Sequence, residues 1–384
     1  MYTEMKLTNT ERIYTEKEIQ NQPALWGKIY NQLLVEQSQI IPFLNHATSH
    51  SNLNIILTGA GSSAFIGLSI VGSFKRNLNW NTSAVSTTDI VTHPEDFFNS
   101  DVPVLLISFA RSGNSPESVA AVNIAEQICS KIYHLIITCD VLGDLAQCET
   151  DSPKYVIVLP SEANDKGLAM TGSYSGMLLA GLLISRIREI DTLSEQIDIL
   201  ISYGHKLIMQ PEVFRQIAEL DFERAVFLGS GSLFGTATES QLKLQELTDG
   251  TIICKHDSFL GFRHGPKAVV NQKTLIFLLF SNRNNAIPYE KDLIESLNDG
   301  KKPLYTVGLS EHNIAGMKLD RLILVSNDES QLDEEFLPVC FIIPAQMLGF
   351  FKSLQLGFNP DTPSQSGAIN RVVKGVNIYP YIKQ

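Results

Sequence analysis

The sequence predicts an α/β fold in which one doubly wound parallel-sheet domain occurs twice, between an N-terminal helical segment and a C-terminal tail. Three observations predict it. Short, near-continuous runs of Val, Ile and Leu alternate with helical segments, as strands buried on both faces of a parallel sheet require. A strand running into glycines, Leu57 to Gly59 and Gly61, recurs as Leu228 to Gly229 and Gly231. The strand ending at Phe109 recurs as one ending at Phe280, and that around Ile137 as one around Val307, all at one offset of about 170 positions.

Each element follows in order. Residues 1–50 read as helix: Thr15 to Gln20 carries cap-like chemistry, and Leu25, Ile29, Leu33 and Leu34 recur at helical spacing before Pro42. The first domain, 51–205, takes strands at Leu53–Leu57, Val104–Phe109, Leu135–Thr138 and Tyr155–Leu159. The second, 206–356, takes them at Ala225–Leu228, Thr274–Phe280, Leu304–Val307 and Leu322–Val325. The polar stretch from Tyr203 to Phe222 joins the copies, and the apolar helix Met177–Ile184 is expected in a core. Residues 357–384, rich in Pro, Ser and Asn, form a non-repeated tail.

Thirty Lys and Arg against 41 Asp and Glu give the 384-residue chain a net charge of −11. Such a surface repels phosphate backbones and anionic lipid, so neither nucleic acid nor a membrane is expected as a partner. A small anion remains open, because a nest of backbone N–H groups overrides the global charge locally. The five cysteines form no CxxC pair, which argues against a disulfide framework or a structural zinc. The polar N-terminus has no signal-peptide core, and no uncharged apolar run reaches membrane-spanning length. A cytoplasmic protein is expected. No Asp, Glu and His cluster has metal-ligand spacing, so neither a metal nor another cofactor is expected.

Ligands of open parallel sheets sit beyond the carboxyl ends of the strands. The first such loop, Thr58-Gly59-Ala60-Gly61-Ser62-Ser63, combines a tight turn with two hydroxyls at a helix start. It departs from the dinucleotide fingerprint. The second, Ala110-Arg111-Ser112-Gly113-Asn114-Ser115, sets hydroxyls, a glycine and an arginine before Pro116, which suits a helix's first turn. A phosphate monoester fits hydroxyl and backbone donors there. The matching loop of the second copy, Ser281-Asn282-Arg283-Asn284-Asn285, lacks the hydroxyl cluster and the glycine, so one phosphate site per chain is expected. Farther on, Glu239, Lys243 and Glu246 (i, i+4, i+7) share one helix face, either as proton-transfer groups in a cleft or as a surface ion-pair ladder. His264, between Arg263 and Gly265-Pro266, lies on a loop.

Together the Ser-rich loop, the Glu239–Glu246 helix and Arg263-His264-Gly265-Pro266 resemble the sugar isomerase (SIS) domain family in its tandem form, over roughly residues 50–375. They look like the isomerase half of glucosamine-6-phosphate synthase. The resemblance implies Glu246 as the base that moves a proton between sugar carbons, Lys243 as its partner, and His264 as the ring-opening group. It also implies Ser62, Ser63, Arg111, Ser112, Asn114, Ser115 and Thr171 around substrate and phosphate, with Lys374 as a tail lysine at the site. Ala110 stands where the synthase has a phosphate-binding serine. With no glutamine amidotransferase domain and no N-terminal cysteine nucleophile, glutamine is not the expected nitrogen source.

Leu168-Ala169-Met170-Thr171 and the tail Ser366 to Val373 look more like the AgaS-type branch. That branch is associated with galactosamine-6-phosphate deamination and tagatose-6-phosphate aldose–ketose isomerisation. The expected partner is a phosphorylated amino sugar, and the expected assembly a homodimer. Simple aldose–ketose isomerisation uses the same proton shuttle and stays open. So does a non-catalytic sugar-phosphate sensor, although residues 1–52 hold no basic helix–turn–helix-like module.

Overall fold

The structure, a computed structural model, describes residues 13–78, 80–326, 331–373 and 375–382. Its strands form two five-stranded sheets. The first holds β1 (Asn54–Gly59), β2 (Asn81–Ser86), β3 (Val104–Ala110), β4 (Ile132–Thr138) and β5 (Lys154–Val158), in the order β2-β1-β3-β4-β5. The second holds β6 (Arg224–Gly229), β7 (Ile253–Asp257), β8 (Thr274–Leu279), β9 (Tyr305–Ser310) and β10 (Arg321–Leu324), in the order β10-β9-β8-β6-β7. Read from its other edge, the second sheet repeats the strand order of the first. All pairings are parallel.

The eight apolar runs all become strands. Two more strands, β2 and β7, escape the sequence reading, and they occupy the same place: the edge beside the first strand of each copy. An edge strand has one neighbour and thin cover, so it does not need a continuous apolar run. Asn81-Thr-Ser-Ala-Val-Ser86 and Ile253-Cys-Lys-His-Asp257 are accordingly mostly half-buried.

The first helix spans Tyr14–Ala47 and continues through Pro42, within the 1–50 stretch read as helix, whose first twelve residues lie outside the described ones. Its buried face, including Trp26, Ile29 and Leu33, packs on the helix Gly172–Ser185, whose every residue is buried. The Met177–Ile184 segment is therefore core. The joining stretch is helical, Ser194–Ile208 then Pro211–Ala218, so the division expected at 205 falls within a helix. One helical run, Glu334–Gln355, is long and apolar enough to cross a membrane, but 94% of its most apolar window is buried inside the protein.

Both copies make the same turn after their first strand. Gly61 and Gly231 have φ of 55° and 59°. A Cβ on Gly59 would lie 2.6 Å from the Ser63 carbonyl carbon, and one on Gly229 2.5 Å from the Leu233 oxygen, so only glycine permits the close strand–helix approach. The helices that follow, Ser62–Leu78 and Leu233–Leu247, pack against each other and so bring the two copies together. Gly235 allows this: a Cβ there would meet Phe65 O and Ser69 N at 2.6 Å. Because those atoms are backbone, Gly235→Ala is expected to push the helices apart and destabilise the protein by about 1–3 kcal/mol. Urea unfolding midpoints check this; an unchanged midpoint would show that the helices tolerate the methyl.

Candidate active site

The carboxyl ends of β1 and β3 open onto one cleft. Ser63 comes from the start of the helix after β1, and Ser112, Ser115 and Ser118 from the loop and helix after β3. Ser115 is the N-cap of the helix Pro116–Ile128, with Pro116 in its first turn. The backbone N–H groups and dipole of that helix start favour an anion in the cleft. Gly113, at φ 69°, makes the turn. Some polar groups already have partners: Asn114 N donates to Ser112 Oγ at 3.3 Å, Ser115 Oγ donates to Glu117 Oε2 at 2.7 Å, and Asn114 Oδ1 accepts from Asp144 N at 2.9 Å.

Arg111 lines the cleft, yet differs from a free phosphate donor, because backbone carbonyls already hold its guanidinium. It is buried, and its guanidinium donates to the carbonyls of Gly167 at 3.3 Å, Leu168 at 3.0 Å and Arg371 at 2.6 Å. It therefore fastens the wall of the cleft and brings a positive charge to it. Arg371 completes the fastening by donating to Asp165 O and to Asn164 Oδ1 at 2.6 Å. In this way the tail residues Arg371, Val372 and Val373 are brought to the cleft. Lys374, the expected tail lysine, lies outside the described residues.

Thr171 also differs from expectation. It is fully buried, and its hydroxyl donates to Asp165 Oδ1 at 2.8 Å. Asp165 accepts from the backbone N–H groups of Thr171, Gly172 and Ser173 as well, and so caps the start of the Gly172–Ser185 helix. Thr171 belongs to that cap, one layer behind the cleft.

Glu18, on the first helix, accepts from Lys166 N at 2.6 Å and Gly167 N at 3.4 Å, and so holds the same 165–168 segment. Burial pushes its carboxyl up to about 7, with Asp165 and Asp361 adding to the rise and the two N–H groups opposing it. A carboxyl raised on folding contributes stability below its unfolded value of 4.5 and loses it as pH climbs through about 7. Stability is expected to fall across that window, and less steeply in Glu18→Gln. Urea midpoints at about pH 5 and about pH 8 check this; equal slopes in the two proteins would remove Glu18 as a cause.

The helix Leu233–Leu247 packs against the helix that starts at Ser62, beside the cleft. Lys243 Nζ lies 2.6 Å from Glu246 Oε2 and 3.1 Å from Glu239 Oε1. The same ammonium donates to Ser62 Oγ at 3.1 Å, and thereby crosses from the second copy to the β1 loop of the first. Side-chain exposure is 0% for Glu239, 1% for Lys243 and 23% for Glu246. This is no surface ladder: two members are sealed, and only Glu246 opens outward. Burial alone would lower Lys243, but Glu239 and Glu246 outweigh it and hold the ammonium above its usual range. Burial pushes Glu239 up to about 7, with Lys243 opposing and Glu246 adding. The Glu246 charge also reaches the Arg111 guanidinium in the cleft wall.

His264 lies elsewhere. It follows the short helix Phe259–Phe262 beyond β7 and is exposed, and among the described contacts none joins its ring to Glu246 or to the Ser-rich loop. Sequence reasoning missed Ser118, Met170, Arg371 and Asp165. Ser118 had a signal, since it stands one helical turn after Ser115; Met170 and Arg371 lie in the two segments that resemble the AgaS-type branch, and only Asp165 had none.

The SIS domain model matches residues 49–185. D-galactosamine-6-phosphate deaminase AgaS of Shewanella sp. (strain ANA-3) is 39% identical over 382 residues, covering 98% of this chain and 95% of the relative. The solved structure of tagatose-6-phosphate ketose/aldose isomerase from Escherichia coli has a TM-score of 0.87 at 36% identity, covering 96% of each chain. The C-terminal domain of glucosamine-fructose-6-phosphate aminotransferase from Francisella tularensis shares the fold, with a TM-score of 0.77 at 17% identity over 92% of this chain and 99% of that one. Two sheets of one topology, joined through the helices that carry Ser62 and Lys243, are thus the architecture of a known group, and the chain belongs to the AgaS family of SIS-domain proteins.

Proposed function

We propose that the chain converts D-galactosamine 6-phosphate and water to tagatose 6-phosphate and ammonia. One observation carries the reading: the Lys243 ammonium touches Glu246 and, at 3.1 Å, Ser62 of the opposite copy. A phosphate held at Ser63, Ser112 and the start of the Pro116–Ile128 helix therefore anchors a sugar whose other end points toward Glu246. Binding energy at the remote phosphate orients the open chain.

In the open-chain aldehyde, Glu246 takes the proton from carbon 2 as the carbon 1 oxygen gains a proton, giving an enolamine. The proton then returns to carbon 1 as the amine gives one up, which leaves a C2 imine beside a C1 hydroxymethyl. Water adds to that imine, the C–N bond breaks, and ammonia leaves as the C2 ketone forms. Lys243, held between two carboxylates, orients Glu246 for both transfers. His264 opens the ring. Since no described contact brings it to Glu246 within one chain, we assign its delivery to a second copy in a homodimer, which sedimentation as a stable monomer would contradict. We place the enzyme in the cytoplasm; all five cysteines are free.

The test is a coupled assay for free ammonia, with galactosamine 6-phosphate and glucosamine 6-phosphate as substrates. Ammonia is expected from the first at the higher kcat/KM. The name of the Escherichia coli relative supports a second reading, aldose–ketose isomerisation of tagatose 6-phosphate without nitrogen release. Turnover of tagatose 6-phosphate with no ammonia from either amino sugar would select it.

A further inference from the structure

The packing of the two central helices builds a second cleft, at the position in the second copy that matches the candidate active site. It measures about 310 Å³, against about 140 Å³ for the first. Its loop residues Ser230, Gly231 and Ser232 follow Ala60, Gly61 and Ser62 by about 170 positions, as Ser281 and Arg283 follow Arg111 and Gly113. Its facing wall is the helix Ser62–Leu78. On that helix the counterparts of Glu239, Lys243 and Glu246 are Ser69, Ser73 and Arg76. The second cleft thus has no proton-transfer carboxylate on this wall and an arginine in its place.

Its loop already holds an anion. The Glu334 carboxylate accepts from Ser281 Oγ and lies 2.6 Å from Arg283 Nε. Arg76 pairs with Glu335 at 2.9 Å. Both arginine side chains are nearly half exposed, so either can turn to an incoming ligand. The helix Leu233–Leu247 starts at this loop, and its dipole favours negative charge there.

We propose that this cleft is a non-catalytic binding site for a phosphomonoester of sugar size, whose phosphate displaces Glu334 from Ser281 and Arg283 and draws in Arg76. Each central helix runs between the second cleft and the Ser62–Lys243 contact beside the first. The helix Ser62–Leu78 begins at Ser62, the partner of Lys243, and lines the second cleft from Leu68 to Arg76. The helix Leu233–Leu247 begins beside the second cleft and carries Lys243 and Glu246. One chain thus has one catalytic site and a second anion site in contact with it.

The choice of a sugar phosphate rests on the proposed function; inorganic phosphate, used as a second probe, does not. Titration calorimetry on the 384-residue Glu246→Gln chain, in which turnover is slowed, is expected to show two sites for tagatose 6-phosphate. Adding Arg283→Ala should leave one. Glu334→Gln keeps an acceptor for Ser281 but removes the competing charge, and should tighten the second site about tenfold for either probe. A single site that neither Arg283→Ala nor Glu334→Gln alters overturns this inference and leaves the deaminase reading intact. Two sites, one lost in Arg283→Ala, with no ammonia released by the wild-type enzyme would keep the inference and remove that reading. No binding of either probe removes both.

Discussion

Glu246→Gln is expected to bind sugar phosphate as the wild-type chain does and to turn it over at least about 10² times more slowly. The groups proposed to hold the phosphate belong to the first copy and are unchanged in this variant. The amide fills the volume of the carboxylate but cannot accept the carbon 2 proton, so the loss falls on kcat and leaves KM nearly unchanged. Steady-state kinetics with direct binding measurements separate the two effects. Ammonia release at the wild-type rate would take Glu246 out of the reaction. Among the three charged residues on its helix face, Glu246 is the one suited to the role: Glu239 and Lys243 are sealed from any substrate.

Lys243→Met should produce the largest stability change. The lysine is the shared cation of two carboxylates, one of them without solvent exposure. Removing one partner from a buried pair costs about 3–5 kcal/mol, because the remaining charge is left in a dry site. Glu239 can escape part of that cost by keeping its proton, and burial already raises it to about 7 with the lysine present. Loss of the cation raises it further. The sign follows: a carboxyl raised on folding weakens the folded state as pH rises, so the deficit should be small near about pH 5 and largest above about pH 8. Urea unfolding across that range checks it. A variant as stable as the wild type at both ends would show that the ammonium does not compensate the two carboxylates. Activity should fall as well, because Glu246 loses the contact that orients it.

These two outcomes bear on residues that spacing alone had already grouped. Glu239, Lys243 and Glu246 fall on one face by helical geometry, whatever the rest of the chain does. Spacing could not tell a solvated ladder from a sealed cluster, because burial of that face depends on the helix Ser62–Leu78, which lies far away in the sequence. Arg111 and Thr171 show the reverse case. Their residue types and loop positions suit a phosphate, yet carbonyls from 167, 168 and 371 take the arginine and Asp165 takes the threonine hydroxyl. Competition of this kind among donors cannot be seen in one dimension.

The repeat, the parallel sheets and the Ser-rich loop were written in local pattern, since continuous apolar runs and glycine turns express requirements that each segment meets by itself. The polar edge strands β2 and β7, the tail laid across the cleft and the bridge from Lys243 to Ser62 were decided only when distant segments met. The reason is physical. Burial and hydrogen-bond partnership are properties of pairs of surfaces, and a chain read residue by residue contains only one surface of each pair.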